Sequence, residues 1–222
     1  MAAPANPKKT RKPLTRARVL RAAIRLADAG GVESITMRRL GHTLGVEAMS
    51  LYNHVTNKDD VLDGITDLVV SEIELPAAET DWATALRRSA ISAHEVFVRH
   101  PWACSLVMSP ARDIPARIRY IDALLGCLRR SGFSPETTYH AYHALDSHIL
   151  GFTVWEVAHS GGPVDLARAT ADFLRDAPAD AFPHLIEHAQ QHLSRTGPDG
   201  QREFEFGLDL ILDGLARLRA HP

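Results

Sequence analysis

"ITMRRLGHTLGVEAMSLYNHVTNKDDVLDGI", residues 35–65, holds three helix starts and one sharp turn. Thr36 can accept a bond from an unpaired amide of a first helical turn, which predicts a helix over 36–44. That helix buries Leu40 and Leu44 and stops at Gly45, where a residue without Cβ can turn left-handed. A short helix over 47–54 follows, with Leu51 inward. The next opens after Thr56-Asn57, either of which can cap it, and puts Asp59 and Asp60 where the helix dipole favours negative charge. Val61, Leu62, Ile65, Leu68 and Val69 line its inner face as far as Glu74.

The pattern continues outward in both directions. Leu20, Ala23, Ile24 and Ala27 recur at the spacing of one buried helical face, predicting a helix over 15–29 that Gly30-Gly31 ends. Beyond "ELPAAETD" helices are expected over 81–100, 102–109, 113–131, 134–159, 166–175, 179–194 and 200–219. Gly132, Gly161-Gly162-Pro163 and "GPDGQ" at 197–201 separate them. No alternating strand pattern of useful length is present. The expectation is an all-α chain: a basic arm over 1–14, a three-helix head with its connecting fourth helix over 15–74, and a helical-bundle body over 75–222.

Charge divides the same way. Residues 1–60 hold eleven Lys or Arg against five Asp or Glu, and the remainder fourteen against twenty-two. A basic head on an acidic body suits a head that meets a polyanion, although a solvated tail carrying Lys8, Lys9, Arg11 and Lys12 explains much of it. No apolar run reaches the length of a membrane helix, and the basic N-terminus has no apolar segment behind it, so no membrane partner and a cytoplasmic location are expected. Cys104 and Cys127 lack metal-ligand or redox spacing and read as small core residues.

Two short helices joined at a glycine turn must cross steeply. That demands a small residue where the backbones approach and apolar residues where they share a core. Gly41 stands four residues before Gly45, and Leu40, Leu44, Val46 and Leu51 supply the core. This is the helix-turn-helix pattern, although any helical hairpin wants Gly and Leu in such places. The second helix of such a unit enters the DNA major groove, where base edges differ in donors and acceptors. Ala48 and Met49 suit thymine methyl groups, Ser50 a base or a phosphate, and Asn53 adenine. Tyr52 and His54 have the reach for phosphates, with Lys58 adding charge beside them.

Residues 35–65 closely resemble the DNA-binding head of the TetR family of transcriptional repressors, whose members share an "LYxHVxNKxxLLD"-like run after the recognition helix. "FEFGLDLILDGL", 204–215, resembles a late segment of the tetracycline repressor subgroup. The resemblance implies that Arg38 contacts a base, that Thr36, Tyr52, His54 and Lys58 contact phosphates, and that residues 48–50 and 53 read bases. Arg39 is a second candidate or a surface arginine. It also implies a homodimer on palindromic operator DNA, built from the last two long helices of each body, here 134–159 and 200–219. On 200–219, Phe204, Gly207, Leu208, Ile211, Leu212 and Leu215 form a stripe that suits either a partner helix or the chain's own core. A ligand favouring a different body packing would move the fourth helix, 57–74, like a lever.

The body carries the expected sensor. His94, Phe97, Trp102, Met108, His143, His148, Phe152 and Trp155, with Tyr139 and Glu156 beside them, are the aromatic rings and polar tips of a small-molecule effector pocket, although most aromatics at helical spacing are core. In tetracycline-binding relatives a histidine on the short helix after the fifth helix binds a drug-chelated magnesium. Val107 or Met108 stands there in this chain, so a different effector is expected, with no cofactor and no resident metal.

Two other readings stay open. The same head serves an activator or an architectural protein. His184-Leu-Ile-Glu187-His188 spells an inverted zinc-peptidase signature, with His192 one turn on, which makes a zinc-dependent hydrolase chemically conceivable. A short pattern in a chain with twelve histidines arises readily by chance, and a solvated helix face is the expected explanation.

Overall fold

The computed structural model describes residues 13–78, 81–112, 114–159, 166–176, 178, 182–194 and 200–220. Lys8, Lys9, Arg11 and Lys12 and the breakers at 161–163 and 197–199 lie outside them. The described residues are all-helical, with no strand among them. Two compact units divide between Ile65 and Thr66.

The first unit holds α1 (Arg16–Gly30), a short 3-10 turn (Val32–Ser34), α2 (Met37–Leu44), α3 (Ala48–Leu51) and the first turns of α4 (Lys58–Val70). Thr15 caps α1 through Arg18 N at 3.2 Å, and Thr36 caps α2 through Arg39 N at 3.1 Å. Val19, Leu20, Ala23, Ile35, Leu40, Leu51, Val55 and Ile65 are buried in its core. Gly45 closes α2 at φ 69°, ψ 35°, and Val46 N donates to Gly41 O at 2.9 Å, so the orphan carbonyls of the last turn are satisfied within the turn itself.

The third and fourth helices end earlier than expected. The third helix, expected over 47–54, stops at Leu51. Tyr52, Asn53 and His54 form a tightened turn in which Tyr52 N reaches Met49 O at 3.3 Å and His54 N reaches Leu51 O at 2.8 Å. Tyr, Asn, His, Val and Thr in succession are weak helix formers, and Glu47 gives α3 no side-chain cap. The fourth helix, expected to reach Glu74, stops at Val70, where the Ser71 hydroxyl takes the Asp67 carbonyl at 2.7 Å.

The second unit continues α4 and adds α5 (Trp82–Arg99), α6 (Trp102–Val107), α7 (Pro115–Arg130), α8 (Pro135–His159), α9 (Leu166–Asp176), α10 (Pro183–Ser194) and α11 (Gly200–Ala220). α8 lies against α5, α7 and α11, while α9 packs on α10. Ile114 cannot cap α7, and the Asp67 carboxylate supplies the cap by accepting from Ala116 N at 2.7 Å. Arg117, buried, pairs with Asp146 and joins α7 to α8. Arg87 reaches Glu205 at 2.6 Å and Asp209 at 2.8 Å and joins α5 to α11.

The apolar stripe of α11 is internal to the chain. Phe204, Leu208, Leu212 and Leu215 are buried here, whereas Phe206, Leu210 and Leu218 point outward, each more than half exposed. Gly207 lets the chain's own His148 approach, since a Cβ at 207 would lie 2.5 Å from His148 Cε1. Cys104 and Cys127 are buried, and burial pushes both thiols up, Cys104 to about 11. No helix of the described residues is long and apolar enough to cross a membrane.

Candidate nucleic-acid interface and effector site

Around the α2–α3 turn, Arg38 and Ala48, two of the candidate DNA residues, line one open groove. His42 of α2 lines it with them, as do Gly41, Gly45, Val46 and Glu47. Gly41 is the contact on which the crossing depends: a Cβ there would lie 2.8 Å from Val46 O and 3.2 Å from Ala48 N, both backbone atoms. Leu51 is fully buried, so α3 is anchored from within, and Met49 is left 75% exposed. Leaving that side chain in water forgoes about 2 kcal/mol of burial, a cost recovered when a partner covers it.

The remaining candidates differ in exposure. Thr36 is exposed, and its hydroxyl oxygen caps α2 while its proton stays available to a phosphate. Arg38 and Asn53 are exposed, Tyr52 is 47% exposed, and Ala48, Ser50, His54 and Lys58 are half-buried. Lys58 Nζ stands 4.0 Å from the exposed Glu33 carboxylate, a surface pair too loose to hold it away from another anion. Sequence reasoning passed over the pair that holds this surface from behind. Arg16 and Asp60 meet in a bidentate contact at 2.6 and 3.0 Å, which keeps the Asp60 carboxyl down at about 2. Asn57 Oδ1 accepts from Asp60 N at 2.8 Å, a local cap that carries no signal of Arg16, forty-four residues away.

In the second unit the effector candidates do not converge on one place. His94, His148, Phe152 and Trp155 do come together. The Phe204 ring stacks on His94, at 4.0 Å, and on His148, at 4.9 Å, with Phe152 edge-on to His94 and Trp155 against Phe152. Phe97 and Trp102 are buried, Met108 is 54% exposed, and His143 is exposed against Tyr139. His148 Nε2 donates to Phe204 O at 2.9 Å.

His94 is 1% exposed and its tautomer follows from its neighbours. The Thr153 hydroxyl donates to Ile149 O at 2.7 Å, so it accepts from His94 Nδ1–H at 2.8 Å. His94 Nε2 then has a lone pair facing Glu156 Oε2 at 3.0 Å, an oxygen that is buried and has no hydrogen-bond partner. Burial, reinforced by His148, lowers His94 to about 4, and burial raises the Glu156 carboxyl above its ordinary range.

A pH dependence follows for the second unit. The unfolded chain protonates His94 as pH falls through 6.5, but the folded chain only near 4. Stability is therefore complete above 6.5 and falls by up to about 3 kcal/mol between 6.5 and 4. Glu156, raised in the fold, works in the opposite sense, so the readout is the difference between wild type and His94→Gln in urea unfolding followed by tryptophan fluorescence. The variant should show a flatter profile between pH 4 and 6.5. Parallel profiles would show that His94 takes no part.

His184, Glu187 and His188 lie exposed on α10, and the His192 side chain lies outside the described residues. Among the described residues no group of three or more His, Cys, Asp or Glu is arranged to hold a metal ion, these three included.

Residues 75–219 match the family described as the tetracyclin repressor-like C-terminal domain, which is most of the chain. The chain belongs to the TetR family. Among its TetR-family relatives is an HTH-type transcriptional regulator of Saccharopolyspora erythraea, 29% identical over 96% of this chain and 89% of the relative. The HTH-type transcriptional repressor DrrR1 of Streptomyces coeruleorubidus is 30% identical over 93% of this chain and 79% of its own length. The solved structure of apo ActR from Streptomyces coelicolor superposes with a TM-score of 0.76, at 27% identity, covering 94% of this chain and 98% of that one. ActR has also been solved in complex with actinorhodin, where the TM-score is 0.74 at 28% identity, covering 93% and 98%. These relatives are transcriptional regulators, a class that is not enzymatic, and they favour regulation over hydrolysis for this TetR-family chain.

Proposed function

We propose that this chain is a ligand-responsive transcriptional repressor that binds a palindromic operator as a homodimer and is released by a small-molecule inducer in the cytoplasm. The observation that carries the reading is the exposed set Arg38, Met49, Tyr52 and Asn53 beside a helix crossing that Gly41 and Gly45 permit. In this reading Ala48, Met49, Ser50 and Asn53 read base edges, Arg38 reads a base from α2, and Thr36, Tyr52, His54 and Lys58 hold phosphates. The homodimer forms through the outward faces of α8, with Tyr139, Val154 and Trp155, and α11, with Phe206, Leu210 and Leu218. The basic arm over 1–14 adds salt-dependent phosphate affinity.

The effector is a small, largely apolar molecule. Its site draws on His94, His148, Phe152 and Trp155, with Phe97, Trp102, Met108 and His143 as the further candidates. Val107 and Met108 supply no imidazole for a chelated magnesium, which argues against a metal-tetracycline inducer. ActR's complex with actinorhodin supports a drug-sized organic effector as a class. Relief of repression by tenfold requires a preference of about 1.4 kcal/mol for the non-binding state, passed to the head through α4.

The test is recovery of genomic fragments bound by the full chain, followed by a compound screen for their release. A fragment whose protected stretch overlaps a promoter and is freed by a compound fits a repressor. Protection upstream of the promoter with increased transcription would instead make the chain an activator.

A further inference from the structure

Arg16 lies in the first turn of α1, far along the chain from the candidate DNA residues, yet its guanidinium reaches their turn. Nη2 donates to Asp60 Oδ1 at 2.6 Å, and Nη1 donates to Asp60 Oδ2 at 3.0 Å and to the His54 carbonyl at 3.3 Å. Asp60 Oδ2 also accepts from Thr56 N at 2.7 Å, and Asp60 N donates to Asn57 Oδ1 at 2.8 Å. Four segments therefore meet at one ion pair: α1, the end of the 52–54 turn, the 56–57 link and the first turn of α4. One helical turn on, Leu20 covers Gly64 so closely that a Cβ at 64 would lie 2.9 Å from Leu20 Cδ2 and 3.2 Å from Arg16 Nη2.

We propose that Arg16 and Asp60 are positioning residues for DNA recognition: their clasp sets the 52–54 turn and Lys58 in register with α3, and makes that turn move with α4. The inference rests on the DNA-binding reading. A planar fork on a carboxylate fixes orientation as well as distance, which a lysine at the same place cannot do. The third donor contact is to a backbone carbonyl, so the guanidinium constrains the path of the turn and not only a side chain. The pair is partly exposed, with side-chain exposures of 46% and 25%, and so contributes more to geometry than to stability. The Arg16 guanidinium holds the Asp60 carboxyl down at about 2, so the carboxylate is available to the clasp across the physiological range.

The test uses the full chain, the duplex that wild type enriches from a randomised pool, and a shuffled duplex of equal length. Arg16→Lys and Asp60→Asn should each weaken binding to the enriched duplex tenfold or more, with affinity for the shuffled duplex changed less than about threefold. Base contacts need register, whereas phosphate contacts tolerate slippage. The double variant should be no weaker than either single variant, because each breaks the same clasp. Amide exchange in α1 and α2 should stay at the wild-type rate. Binding of the enriched duplex within twofold of wild type would overturn the proposal. So would an equal loss on both duplexes with faster exchange throughout the head, which is what a merely structural pair would give. If wild type enriches no duplex, the DNA-binding reading itself fails, and the clasp's role with it.

Discussion

Gly41→Ala is expected to abolish specific DNA binding while leaving the second unit intact. The added Cβ would stand 2.8 Å from the Val46 carbonyl oxygen and 3.3 Å from Ala48 Cα. Neither is the movable end of a side chain. Both belong to the turn that sets the crossing of α2 and α3, and Val46 N is tied back to Gly41 O at 2.9 Å, so the turn cannot open without losing that bond. Overpacking of this kind costs about 1–3 kcal/mol. A crossing moved by even a few tenths of an ångström carries Met49 and Asn53 away from any base edge they reach, so the loss in operator affinity should exceed a hundredfold. Fluorescence anisotropy on an enriched duplex measures the affinity, and amide exchange over residues 37–51 shows whether the head has loosened. Wild-type affinity would mean that α2 and α3 separate easily and that the close crossing has no part in recognition.

Leu210→Glu should have the second large effect, on assembly. Leu210 is 56% exposed on α11, with Phe206 one turn before it at 65%, and neither supports the buried stripe of Phe204, Leu208 and Leu212. A carboxylate at 210 therefore leaves the chain's own core alone. In an isologous dimer each substitution counts twice, and burying one such side chain contributes roughly 1.5–3 kcal/mol. The expected weakening of dimerisation is about 3–6 kcal/mol, before like-charge repulsion is added. Sedimentation should show a monomer for the variant and a dimer for wild type, with an unchanged far-ultraviolet circular dichroism spectrum. Operator affinity should fall with it, because one head alone forgoes the avidity of two. A variant that stays dimeric would place the interface away from the outward face of α11.

The head could be read from the chain because its determinants are local. Thr36 as a cap, Gly45 as a left-handed stop and Leu51 as the inward anchor each act within four residues of their partners. Locality also explains what was missed. Arg16 and Asp60 are forty-four residues apart, and no spacing rule links them. The end of α3 at Leu51 depends on weak propensities competing with a turn that must return Val55 to the core.

The body was less legible. The stripe Phe204, Leu208, Leu212 and Leu215 had two owners in the sequence, and the fold assigns it to α5 and α8 of the same chain. Among the aromatic candidates, helical spacing could not separate the cluster around Phe204 from plain core residues such as Phe97 and Trp102. That separation depends on which rings stack around the buried His94. Asp67 as the cap of α7 was equally hidden, since its partner amide lies forty-nine residues away.

A footprint of the full chain on an enriched duplex tests the central claim most directly. Two protected major-groove segments, related by a two-fold axis and about 10 base pairs apart, are expected. Replacing Met49 and Asn53 together should erase both segments while weak protection of shuffled DNA persists. A single unsymmetrical segment, or protection indifferent to Met49 and Asn53, would contradict recognition by the α3 face of a two-fold dimer.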